Sequence, residues 1–299
     1  MEGPGENASF VLPDGRTLEY WDGGDPDGRL VLFHPGTPSS RVLGRWGHEP
    51  AVSAGVRLVS VSRPGYGGST MATSGPSLLS TGRDTAALAT HLGQDEYAVF
   101  GVSGGGPYAL ATAVADPDHI RALGVVGGIG PWRILEGPSF DPEGSVCLDM
   151  LDKGDAAGAW ECMRGDAQRG LGSLAAEPDD ERLVDSFMGE LATGSDLLRD
   201  PAFRAIWAAN LREVLGNLDG YTLDNLAWGA VWDVKPDDVE APTMLWYGDA
   251  DDHCPPRHGR WIADRIQGSE LVVWPGDGHL ATVDAHWPEV LAGLLSIWK

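Results

Sequence analysis

The sequence predicts an α/β fold: a mostly parallel, doubly wound sheet with a helical cap inserted into it. Three observations carry this expectation. Short, continuous apolar runs alternate with helical stretches through residues 1–130, as strands buried on both faces of a parallel sheet require. The alternation stops near Gly130 and resumes at Thr243. The stretch between is rich in helical spacing and poor in strand signals, so it reads as an insertion whose ends return to one sheet. The expected division is a core of residues 1–130 and 241–299 and a cap of residues 131–240.

The elements follow in order. Ser9-Phe10-Val11-Leu12 and the run 16–21 flank Pro13-Asp14-Gly15 and read as an opening hairpin. Residues 30–33, 57–61, 97–102 and 122–126 have the composition of buried strands, with helical spacing over 82–92 and 107–115. In the cap, helices are expected at 155–168, 181–191, 201–215 and 223–232. Beyond it come a strand at 243–247, a helix at 257–266, a strand at 271–274 and a closing helix at 286–298.

Composition narrows the function. Lys and Arg number 21 against 44 Asp and Glu, a formal charge of −23. Such a chain repels nucleic acid and anionic membranes, both of which are bound through Lys and Arg. Its three lysines, Lys153, Lys235 and Lys299, form no basic patch. No apolar run approaches the roughly 20 residues of a membrane helix. The acidic start, Met1-Glu2-Gly3-Pro4, lacks the order of a signal peptide, which points to a cytoplasmic protein. Cys147, Cys162 and Cys254 are odd in number and lack metal-site spacing, so free thiols are expected.

Gly101-Val102-Ser103-Gly104-Gly105 fits the G-x-S-x-G nucleophile elbow. The pattern alone is weak in a chain with 42 glycines. Its context is specific: an apolar strand ends at Val102, and a helix follows with Pro107 in its first turn. A serine hydroxyl needs a base to take its proton and an acid to orient that base. In an architecture built around such an elbow these should follow the serine in the order acid, then His, each just after a strand. Gly248-Asp249-Ala250-Asp251-Asp252-His253 and Pro275-Gly276-Asp277-Gly278-His279 occupy those places. His279 is the expected base, and spacing favours Asp251 over Asp249 and Asp252. His34, His253 and His286 are weaker candidates for the base, while His48, His91, His119 and His258 read as surface residues.

Acyl transfer develops negative charge on the former carbonyl oxygen, which needs preorganised N–H donors. One should be Gly104. The other should lie in His34-Pro35-Gly36-Thr37-Pro38, where the prolines have no N–H; Gly36 or Thr37 remains, with Thr37 preferred. His34 and the cap residues Trp132, Trp207 and Trp228 are expected to contact substrate. Trp160, Trp232, Phe140, Phe187 and Phe203 add to the aromatic content of the cap.

The blocks His34-Pro35-Gly36-Thr37-Pro38, Arg63-Pro64-Gly65-Tyr66-Gly67-Gly68-Ser69, Gly101 to Pro107 and Gly276-Asp277-Gly278-His279 resemble the α/β-hydrolase superfamily. The resemblance is to its branch of proline iminopeptidases, anthracycline methylesterase-like esterases and cofactor-free haloperoxidase-like serine hydrolases. It covers nearly all of the chain outside the cap. In that branch the acid stands in a Gly-x-x-Asp-x-x-x-Pro segment, which Gly248, Asp251 and Pro255 match. The resemblance implies Ser103, Asp251 and His279 as the catalytic set. Two departures matter. The oxyanion block is one residue longer than the usual His-Gly-x-Pro, and the elbow lacks the Gly-Gly-Ser-Trp-Gly of proline iminopeptidases. A serine where epoxide hydrolases and haloalkane dehalogenases carry aspartate argues against their chemistry.

The expected function is hydrolysis of a small, mostly apolar ester, without metal or organic cofactor. Amide or carbon–carbon bond hydrolysis would use the same residues. The alternative of another class is a non-catalytic protein that binds a small molecule on the same scaffold.

Overall fold

A computed structural model describes residues 5–137, 141–192 and 195–299. Its strands are β1 (Glu6–Val11), β2 (Thr17–Gly24), β3 (Arg29–His34), β4 (Val56–Val61), β5 (Tyr97–Val102), β6 (Ile120–Val126), β7 (Thr243–Gly248) and β8 (Glu270–Trp274). They form one sheet in the order β1-β2-β4-β3-β5-β6-β7-β8. The opening hairpin is antiparallel, as is the β2–β4 pair, and all later pairs are parallel.

Strand β3 shows why the apolar runs are continuous. Leu30 and Leu32 pack with Leu88, Leu110 and Ile262 on one face, while Val31 and Phe33 pack with Ala51, Trp287 and Leu291 on the other. Helices Leu78–His91, Gly106–Ala115 and Pro256–Ala263 supply the first set, and His48–Ala54 and Trp287–Ile297 the second. A strand covered on both faces has no polar side to alternate with. From β3 the chain goes to β4 on one side and then crosses to β5 on the other. The winding therefore reverses between β3 and β5, and the carboxyl ends of those strands border a crevice suited to a ligand.

The expected strands and most helices are found with ends shifted by a few residues. Helices His48–Ala54, Trp132–Leu135, Pro142–Asp152 and His279–Asp284 are additional. Pro142–Asp152 carries a legible start signal: Asp141 caps it by accepting from Gly144 N at 3.1 Å, and proline follows at its first position. Between β6 and β7 the described residues form helices and no strand. Among the described residues, no helix is long and apolar enough to cross a membrane.

The cysteines depart from expectation. Helices Pro142–Asp152 and Ala156–Ala175 pack together and bring Cys147 and Cys162 to a Cα separation of 5.3 Å, where they are joined as a disulfide. Only Cys254 is free, and it is buried. Sequence spacing could not show this, because the pairing depends on how two cap helices face each other.

The turn after β5 is packed backbone against backbone. A methyl group on Gly105 would lie 2.2 Å from His34 O and 2.5 Å from Pro35 O, neither of which is the movable end of a side chain. Gly105→Ala should therefore lower stability by about 1–3 kcal/mol, read as a lower urea midpoint. An unchanged midpoint would show that the β3 and β5 turns can separate freely.

Candidate active site

Ser103 stands at the end of β5, where the helix Gly106–Ala115 is about to begin. Its φ of 50° makes it the one non-glycine residue with positive φ among the described residues. An L-residue in that region pays roughly 1–2 kcal/mol, a strain of the kind found where a side chain must be lifted into a site. Glycine on either side permits the sharp turn: a methyl on Gly101 would sit 2.3 Å from Gly105 O.

His279 opens the short helix after β8, and its Nε2 lies 3.0 Å from Ser103 Oγ. Its Nδ1 lies 2.8 Å from Asp251 Oδ2. The other oxygen of Asp251 accepts from the N–H groups of His253 and Cys254, each at 2.8 Å. Burial pushes the Asp251 carboxyl up. The hydrogen bond from His279, its charge and the two backbone N–H groups outweigh that and hold it below the usual carboxylate range. An ionised Asp251 only accepts, so the proton on His279 resides at Nδ1, and Nε2 offers its lone pair to the Ser103 hydroxyl. Asp249 and Asp252 lie outside this chain of hydrogen bonds: Asp249 Oδ1 accepts from Gly276 N at 2.6 Å, and Asp252 is exposed.

The loop after β3 packs against the elbow. A methyl on Gly36 would lie 3.4 Å from Ser103 Cβ, and one on Gly104 would lie 2.4 Å from Thr37 Oγ1 and 3.3 Å from Thr37 N. Arg63, buried behind this loop, donates to the carbonyls of Pro35 and Gly36. In a planar trans peptide the N–H points opposite to its carbonyl. The carbonyl of Gly36 turns toward Arg63, so the N–H of Thr37 turns away from it, toward the elbow.

Arg63 is held in turn by Asp224, on the cap helix Asp219–Gly229, with Nη2 to Oδ2 at 2.6 Å. The carboxylate also accepts from Thr37 Oγ1 at 2.6 Å, Tyr66 OH at 2.9 Å and Tyr108 OH at 2.7 Å. Burial and the Asp224 charge raise both phenols well above their ordinary range, so each remains a donor. Nothing in the sequence marked Asp224. Arg63 and Tyr66 lie in a block noted above, but their partner is 161 and 158 residues away.

Ser103, His279, Gly36, Thr37 and Gly104 line a cavity of about 650 Å³, together with Trp132, Trp207 and Trp228. Phe187 joins them, Trp160, Trp232 and Phe203 do not, and Phe140 lies outside the described residues. His34 is not brought to the cavity. Its ring is fully buried, with Nε2 3.1 Å from Thr112 Oγ1, because the side chain at the end of β3 turns into the helix Gly106–Ala115. His258 is no surface residue either: it is buried, its Nδ1 accepting from Gly130 N at 2.8 Å and its Nε2 2.7 Å from Glu136. Cys254 lines the cavity, but burial pushes its thiol well up, which keeps it protonated and a poor nucleophile beside Ser103.

Parallel sheets that present a serine on such a strand-to-helix turn form one structural class, the α/β-hydrolases. A model of the alpha/beta hydrolase family matches residues 30–293, and the chain belongs to that family. A 2-hydroxy-6-oxononadienedioate/2-hydroxy-6-oxononatrienedioate hydrolase of Klebsiella pneumoniae is 25% identical over 280 residues, 89% of this chain and 86% of its own. A non-heme chloroperoxidase of Streptomyces lividans is 30% identical over 159 residues, half of this chain and 53% of that protein. Among solved structures, a bromoperoxidase of Bacillus anthracis superposes with a TM-score of 0.69 at 21% identity, over 97% of this chain and all of its own. That likeness is one of fold.

Two predictions concern the groups behind the site. Asp224→Asn leaves the buried Arg63 charge without its counter-charge, and breaking such a pair costs about 3–5 kcal/mol; the urea midpoint should fall accordingly. His34 is held well below its ordinary pKa, by burial first and by the nearby Arg63 charge second. Thr112 Oγ1 donates to Tyr108 O at 2.8 Å, so it accepts from His34 Nε2, and a second proton at Nδ1 would find no acceptor. The unfolded chain takes up that proton below about pH 6.5, and the folded chain does so only at lower pH. Stability is therefore intact above that range and falls below it by up to about 1.4 kcal/mol per pH unit for this group. His34→Asn should flatten the acid side of a plot of unfolding free energy against pH. An identical slope in the variant would remove His34 as a source of it.

Proposed function

We propose that the chain is a serine hydrolase acting on a small, mostly apolar and uncharged ester. The observation that supports this most directly is the relay from Ser103 Oγ to His279 Nε2 at 3.0 Å and from His279 Nδ1 to Asp251 at 2.8 Å. Ser103 Oγ attacks the ester carbonyl as its proton passes to His279 Nε2, and Asp251 stabilises the imidazolium that forms. The carbonyl oxygen becomes an oxyanion between the N–H groups of Gly104 and Thr37. Collapse expels the alcohol, which takes the proton from Nε2 and leaves an acyl group on Ser103. Water then attacks with His279 again as base, releasing the acid and restoring the serine.

The cavity supports the choice of substrate. Its lining is largely apolar and aromatic, and among the described residues it contains no Lys or Arg. The Klebsiella relative is named for a dicarboxylate; a second carboxylate here would meet no cation and would face Asp141 and Asp284 instead. The acidic surface likewise disfavours anionic ligands.

Fluorophosphonate labelling and turnover of p-nitrophenyl esters test the reading. Ser103→Ala should lose both with an unchanged circular dichroism spectrum, and turnover near that of the parent would sink the assignment. Failure of the intact chain to label would favour a ligand-binding protein without catalysis. Asp251→Asn should lower kcat by about 10⁴-fold, while Asp249→Asn and Asp252→Asn stay within a few-fold of the parent. A crippled Asp252→Asn beside an active Asp251→Asn would place the orienting acid on the wrong residue.

A further inference from the structure

The cavity is apolar in bulk, yet two of its polar groups are left without a complete hydrogen bond. Asp284 ends the helix that His279 begins, is 94% buried by its exposure of 6%, and lines the same cavity as Ser103. Its Oδ2 is buried and accepts no hydrogen bond. Trp207 lines the same cavity, and its indole N–H acts on Asp284 as a donor that lowers its pKa, yet the contact falls short of a complete hydrogen bond. A buried carboxyl oxygen and a buried N–H left unmade are each costly, and native interiors rarely retain them without a ligand or a water in between.

The two groups have complementary requirements. The indole N–H only donates and needs an acceptor. The carboxylate only accepts and needs a donor. One small group meets both from a single atom: a hydroxyl, whose O–H donates while its lone pairs accept. An ammonium would satisfy Asp284 but leave the indole unpaired, and a carboxylate would do the reverse while repelling Asp284.

We infer that Asp284 and Trp207 form a polar subsite for a hydroxyl, so that the ester hydrolysed carries a hydroxyl on the part that enters this cavity. The inference rests on the hydrolase reading and narrows its substrate class. Burial pushes the Asp284 carboxyl up to about 7, with the His279 charge and the Trp207 N–H pulling the other way. A hydroxyl suits either form of the group, donating to the carboxylate and accepting from the acid. An alkyl chain suits neither, because it would bury the carboxyl dry.

The test uses p-nitrophenyl esters of straight acyl chains bearing a hydroxyl at successive carbons, each beside the unsubstituted chain of equal length. At the position that reaches the subsite, the hydroxylated ester should be preferred in kcat/KM by about 10- to 100-fold. Asp284→Leu should bring that ratio close to one. Trp207→Phe should lower it, and Asp284→Asn, which keeps the volume and an acceptor oxygen, should retain part of it. If Asp284→Leu does not fold, the other two variants read the same ratio. Calorimetric affinities of Ser103→Ala for each pair read the preference without turnover, so the subsite and the hydrolase reading can fail separately. A ratio under threefold at every position in both measurements, or an equal ratio in the intact chain and the Asp284 variants, would overturn the inference.

Discussion

The buried pair of Arg63 and Asp224 ties together the parts on which the site depends. Arg63 follows β4, Tyr108 lies on the helix after the elbow, Thr37 follows β3, and Asp224 belongs to the helix Asp219–Gly229 between β6 and β7. Four separate stretches of chain thus meet at one carboxylate. Charges this far from water are not retained for stability alone, since well-packed apolar side chains often serve as well or better. The pair does something an apolar core cannot. Arg63 directs two carbonyls of the β3 loop inward and, through the planar peptide, turns the Thr37 N–H outward. The direction of a backbone donor is thereby fixed before any substrate arrives, which is what the oxyanion role proposed for Thr37 requires.

The elbow adds a second constraint. Gly105 touches the carbonyls of His34 and Pro35, so the turn after β5 and the turn after β3 cannot be placed independently. The reversal of strand order between β3 and β5 puts these turns side by side at the carboxyl edge of the sheet. Local strain at Ser103 is borne by a turn whose backbone is packed against the β3 loop, while its side chain opens on the cavity. The sheet supplies position, the turn supplies exposure, and the Arg63 network supplies direction.

The sequence made some of this legible and concealed the rest for physical reasons. Ser103 and His279 could be located because each follows a strand whose apolar run is visible; Asp251 was chosen among three aspartates of one such loop by spacing and by the Gly-x-x-Asp-x-x-x-Pro segment of the resemblance. Elimination of the prolines, which have no N–H, left Gly36 and Thr37, with Thr37 preferred. His34 was misplaced because adjacency in sequence to the oxyanion loop says nothing about which face its ring occupies; at the end of β3 it turns toward Thr112. His258 lacked context in sequence because its partners, Gly130 and Glu136, lie 128 and 122 residues away. Asp224 is one acid among the 44 acidic residues of the chain. Only folding distinguishes it from the rest, and the disulfide of the cap was hidden in the same way.

Two aspartates near His279 show how little residue type decides by itself. Asp251 and Asp284 are both buried, and in each the loss of water disfavours the charged form. Asp251 receives three hydrogen bonds, two from backbone N–H groups and one from His279, and stays ionised. Asp284 receives none at Oδ2, and its carboxyl is pushed up. In the proposed reaction the acid beside His279 has to carry its charge before the reaction starts, and the hydrogen bonds to Asp251 favour that form where those at Asp284 do not. The same comparison explains why Asp284 is suited to contact with a ligand. Its Oδ2 is unspent, it is buried, and it lines the cavity that it shares with Ser103.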